Sequence, residues 1–134
     1  MFKKILIASD GSTSADKAVD LGIDIASKYN ADVAALYIID PMEFSYVDGD
    51  DDGGVVLDKI TAKGKEKNLT VIEHIITANP INDFKLMICK IKPDLVVIAN
   101  HGISYDEKPY DEVRLGSVAL KVLEVSNVPV IISK

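Results

Sequence analysis

Two glycine- and hydroxyl-marked turns hold the residue types best suited to chemistry in this 134-residue chain. The first, Asp10-Gly11-Ser12-Thr13-Ser14, follows an apolar run at 5–8. The second begins at Ala99-Asn100-His101-Gly102, after the apolar run 95–98, and continues through a polar excursion to Arg114-Leu115-Gly116-Ser117. A glycine turn leaving a strand, followed by Gly-Ser opening a helix, aims backbone N–H groups at an anion such as a phosphate. Glycines also make plain turns, so the elements around them must decide. Asp10 and Ser117 each have a structural use as well, as turn former and helix N-cap.

Other chemistries find less support. No nucleophile with a base and an orienting acid is apparent. His101, between Asn100 and Gly102, reads as a turn residue, and His74 as a surface residue of a polar strand. Ser9-Asp10 supplies one carboxylate and Ala78-Asn79-Pro80 no aspartate, which argues against a phosphoacceptor domain. Cys89 excludes an intrachain disulfide; among Phe84, Met87, Ile88 and Ile91 it reads as a buried small hydrophobe. No Cys or His cluster has metal-ligand spacing. The stretch Asp48-Gly-Asp-Asp-Asp-Gly-Gly54 lacks the closing glutamate of a calcium loop and reads as a solvated loop. A net charge of −6 argues against nucleic-acid or anionic-membrane partners, while a pocket of backbone amides stays compatible with it. The apolar run after Lys3-Lys4 is too short for a signal peptide, and no stretch reaches transmembrane length. The chain reads as cytoplasmic.

The elements that position the two turns follow from periodicity. With 48% hydrophobic and 27% charged residues, the chain reads as one globular domain over 1–134. Strands are expected at 5–8, 33–39, 70–77, 95–98 and 130–133. Helices are expected from Ala15 to Tyr29 (capped by Thr13 or Ser14, stopped by Asn30), at 55–68, at 81–91 (capped by Asn79 or Asn82) and at 117–126. Strand alternating with helix specifies an α/β fold, a three-layer, doubly wound parallel sheet of five strands. Strands one, two and four are apolar on both faces and belong in the centre; the third carries Glu73 and His74 and belongs at an edge. Right-handed crossovers then give the order 3-2-1-4-5. Winding reverses between strands one and four, and ligands of open α/β sheets bind at the carboxyl side of that reversal, where the two turns meet. Strand five, Val130-Ile131-Ile132, is an apolar edge that a second copy or the chain's own helices must cover.

The stretches Lys4-Ile-Leu-Ile-Ala-Ser-Asp-Gly-Ser12, Tyr37-Ile-Ile-Asp40, His101-Gly102, Leu115-Gly-Ser-Val118 and Asn127-Val-Pro-Val-Ile-Ile132, in order across the whole chain, resemble the universal stress protein family. The resemblance implies an adenine nucleotide alpha hydrolase-like fold and a stress-response homodimer joined through strand five. One branch of that family binds ATP through the pattern G-x2-G-x9-G-[S/T]; another branch lacks both pattern and binding. The resemblance places Asp10 near the ribose or phosphates, Ile38 and Ile39 at the adenine, and Gly102, Gly116 and Ser117 at the phosphates. With their neighbours, the implied binding set is Asp10, Gly11, Ser12, Ile38, Ile39, Ala99, Gly102, Gly116, Ser117 and Val118. ATP with Mg²⁺ is the implied cofactor, and slow ATP hydrolysis the most catalysis expected. The chain departs from the pattern twice: Ala99 replaces the first glycine, and the spacer 103–115 has thirteen residues rather than nine. Alanine there requires an ordinary negative φ, and a longer spacer requires an excursion that leaves Gly116 in place. The alternative is an interaction module of the same fold, working without nucleotide through its dimer surface or the 103–115 loop, with Tyr105 and Tyr110 as anchors.

Overall fold

The computed structural model describes residues 2–38, 52–76, 80–100 and 115–134. Among them, strands β1 (Lys4–Ser9), β2 (Asp32–Ile38), β3 (Val71–Ile76), β4 (Leu95–Ala99) and β5 (Val130–Ser133) alternate with helices α1 (Thr13–Tyr29), α2 (Asp52–Glu66), α3 (Pro80–Ile91) and α4 (Ser117–Val125). All neighbouring strands pair in parallel, in the order β3-β2-β1-β4-β5. This is the expected doubly wound sheet.

Side-chain alternation explains the layers. Ile5, Ile7, Val33, Ala35, Leu95 and Val97 point to one face and pack with Ala18, Val19 and Ile23 of α1 and Leu57 and Ile60 of α2. Leu6, Ala8, Leu36, Val96 and Ile98 point to the other, against Phe84 and Ile88 of α3 and Val122 of α4. Each buried Val, Leu, Ile or Phe gains about 1.5–3 kcal/mol over exposure, so strands apolar on both faces are driven to the centre. On β3, by contrast, Ile72 and Ile75 remain 55% and 52% exposed, as befits an edge. Along β5 every residue is half-buried, so a single chain leaves that edge open.

Several ends differ from the sequence expectation, each for a local reason. Helix α1 is capped by Ser12 rather than by Thr13 or Ser14: Ser12 keeps extended backbone while its Oγ accepts the Ala15 N–H at 3.1 Å. Asn30 ends α1 in the left-handed region (φ 51), as anticipated. Tyr29, expected on the buried face, is half exposed, its ring edge-on to Phe2. Helix α2 begins at Asp52 and ends at Glu66, so Asp52-Gly53-Gly54 form its first turn instead of closing the acidic loop. Helix α3 begins at Pro80, whose fixed φ suits a first turn and whose missing N–H costs nothing there. Asn82 therefore lies inside that helix, and Asn79 lies outside the described residues, as does the acidic stretch up to residue 51. Cys89 is exposed, not buried. Phe84, Ile88 and Ile91 share one helical face, and position 89 falls well off it.

Candidate functional site

Because β1 and β4 are neighbours, the chain leaves their carboxyl ends on either side of one crevice. The β1 side is a tightly bonded turn. Gly11, with φ +85, takes the conformation that glycine adopts without strain, and its N–H donates to Ser9 Oγ at 3.1 Å. The Ser12 N–H donates to Asp10 Oδ1 at 2.9 Å. Asp10 thus makes the turn that sequence reasoning offered as its structural role, while the Ser12 hydroxyl caps α1.

The β4 side is built differently. The Asn100 N–H extends the ladder by donating to the Ser133 carbonyl at 3.0 Å, and the Gly116 N–H donates to the Asn100 carbonyl at 2.7 Å. That bond ties the N-cap of α4 to the end of β4. The N-cap is Gly116 rather than Ser117: Gly116 holds the extended backbone (φ −65, ψ 159), and Ser117 is the first helical residue. Gly116 has no side chain to cap α4, and among the described residues none accepts from its first-turn N–H groups, whereas α1 has the Ser12 hydroxyl. The open helix terminus at this crevice is therefore that of α4, with positive dipole and donors together.

The other expected site residues distribute as follows. Ala99 is the last residue of β4 and keeps a negative φ; its methyl packs in the core layer of α1 and α2. Ile38 closes β2 and Val118, half-buried, lies one residue inside α4. Ile39, Gly102, His101, Tyr105 and Tyr110 lie outside the described residues.

Two features go beyond the sequence reading. Among the described residues, the buried polar side chains are Ser9, Ser12 and Asn100, all near the carboxyl ends of β1 and β4. Ser12 was in the expected set; for Ser9 and Asn100, standing at the end of an otherwise apolar strand was the available signal. The second is a wall contributed by α2. Gly53 lies against the Tyr37 ring, where an added Cβ would stand 2.8 Å from Cδ1, and Val56 Cγ2 stands 3.0 Å from the corresponding point on Gly11. No periodicity announces that contact. His74 belongs to the edge strand, where burial first, then the charges of Lys90 and Lys4, lower its pKa from the usual 6.5. No group of three or more metal-ligating side chains occurs among the described residues.

Residues 1–134 match the universal stress protein family model. A universal stress protein of Methanocaldococcus jannaschii is 26% identical, covering 100% of this chain and 83% of its own length, and one of Bacillus subtilis is 28% identical, covering 98% and 99%. Among solved structures, a structural-genomics test case, described as a hypothetical protein assigned from its structure, superposes with a TM-score of 0.84 at 23% identity, over 100% of this chain and 96% of that one. An Archaeoglobus fulgidus universal stress protein in complex with dAMP gives 0.72 at 20% identity, over 98% of each chain. One in complex with cAMP gives 0.73 at 22% identity, over 98% and 95%. An Arabidopsis thaliana family protein with AMP bound gives 0.69 at 18% identity, over 98% and 91%.

Proposed function

We propose, from the premise that the chain belongs to the universal stress protein family, that it binds an adenine nucleotide in the crevice between β1 and β4. The observation that carries this reading is the start of α4, tied to Asn100 by the Gly116 N–H and left without a side-chain cap. Relatives of the same fold hold cAMP, dAMP and AMP. The phosphates would lie over Gly116 at the N–H groups of Ser117 and Val118, with Asp10, Gly11 and Ser12 opposite. Gly102 would join the phosphate cradle, Ala99 would underlie it, and Ile38 and Ile39 would meet the adenine. ATP accompanied by Mg²⁺ is the physiological form we infer, the ion arriving with the phosphates. The protein works as a cytoplasmic stress-response homodimer joined through Val130, Ile131 and Ile132 of β5. It acts by binding, with slow ATP hydrolysis at most.

The test is calorimetric titration of the purified protein with ATP and Mg²⁺ and with AMP, alongside analysis of nucleotide released on heating. Saturable heats support the reading; no heat, no copurified nucleotide and an unchanged melting temperature sink it. The exposed Leu120 and Leu123 on α4 favour a second reading, an interaction module of the same fold acting without nucleotide.

A further inference from the structure

Asn100 is 7% exposed, and among the described residues its backbone is fully used while its side-chain amide meets no hydrogen-bonding partner. Buried amides without partners are rare, because desolvation is not repaid, and one that persists calls for a reason. Its position supplies one. Along β4 the side chains of Leu95, Val97 and Ala99 enter the α1–α2 layer, and those of Val96 and Ile98 enter the α3–α4 layer. Asn100 follows β4 directly and its N–H still pairs with β5, so continued alternation would put its side chain on the α4 side. There its own carbonyl receives the Gly116 N–H, at the foot of the uncapped first turn of α4.

We propose that the Asn100 carboxamide is a ligand-binding group, donating its NH₂ to the anionic phosphate that faces the first turn of α4. The proposal rests on the nucleotide reading above and adds to it a side-chain donor beside the backbone cradle. An open helix terminus offers donors that any anion can use. A fixed carboxamide beside it narrows the geometry to a group held at one distance from β4. Among the described residues the amide has no partner of its own, and a bound phosphate would supply one.

The proposal separates from a structural role through stability. Asn100→Leu swaps the amide for an apolar side chain of similar size. We expect the ligand-free variant to unfold at the same urea concentration as the natural protein or a higher one, since an orphaned group has been removed. Titration with AMP should show affinity weakened about tenfold or more, as for loss of a hydrogen bond to a charged group. Adenosine, which lacks the phosphate, should bind unchanged. Asn100→Asp, which puts a carboxylate where the donor was, should abolish AMP binding and spare adenosine. Unfolding of Asn100→Leu at lower urea overturns the proposal, because the amide would then be serving the fold. Equal weakening for AMP and adenosine, or none for AMP, overturns it as well. If the natural protein binds neither probe, the nucleotide reading itself falls and takes this with it, whatever the urea curves show.

Discussion

Gly22 is where α1 meets β1, and replacing it with alanine sets two opposing effects against each other. An added Cβ would stand 2.6 Å from Ile7 Cδ1 and 2.7 Å from Cγ1, against an ordinary carbon contact of about 3.5–4.0 Å. In favour of alanine are about 0.8–1.0 kcal/mol of helix propensity and about 0.8 kcal/mol for one buried methyl. Against it stands overpacking, which costs about 1–3 kcal/mol and occasionally more. Ile7 is wholly buried and held in β1 between β2 and β4, so it has nowhere to go and the upper end applies. Gly22→Ala should therefore destabilise by about 1 kcal/mol net, a melting shift of about 3–5 °C for a chain of this size. Ile7→Ala removes both crowding atoms at a cost of about 2–5 kcal/mol. In that background the alanine at 22 should become stabilising, leaving a coupling of about 2–3 kcal/mol between the two sites. Urea unfolding of the four proteins measures it. If the two changes add to within about 0.5 kcal/mol, the close approach is not what requires glycine, and the reasoning fails. More than α1 is at stake, because the height of α1 above β1 sets where the Asp10–Ser12 turn begins.

Three further outcomes are expected. His74 has a lower pKa in the folded protein than the usual 6.5, from burial first and then Lys90 and Lys4. Its contribution to stability is therefore complete above the unfolded value and lost as pH falls through that value to the folded one. The melting temperature should decline as pH falls below the usual histidine value of about 6.5, and His74→Gln should flatten part of that decline; an unchanged slope would count against the assignment. Cys89 is exposed, so a disulfide reagent should titrate one thiol per native chain without denaturant; a thiol that reacts only after unfolding would contradict the α3 packing. Ile131→Lys places a charge on the half-buried β5 edge; on the proposed seam, sedimentation should find the natural chain dimeric and the variant monomeric. A variant that sediments like the natural chain would move the seam elsewhere.

The sheet was legible because burial on both faces writes itself into composition. Strands such as 5–8 and 95–98 admit no polar residue, while Glu73 and His74 mark the edge, and handedness then leaves one winding order. The crevice followed from the same logic. What the sequence could not resolve was which of two adjacent residues performs a backbone task. Ser12, Thr13 and Ser14 are all good caps, and Gly116-Ser117 offers a glycine and a serine; only the register of each helix decides, and a shift of one residue changes the chemistry. With Ser117 as cap, the first-turn donors of α4 would have had a hydroxyl acceptor of their own. With Gly116 there, the cap has no side chain to accept them. Ala99 shows the converse. In a linear pattern it is a departure, yet strand alternation sends its methyl into the α1–α2 layer, away from the α4 terminus. Where the Ala99 methyl goes is thus set by the pleat of β4, which no linear pattern shows.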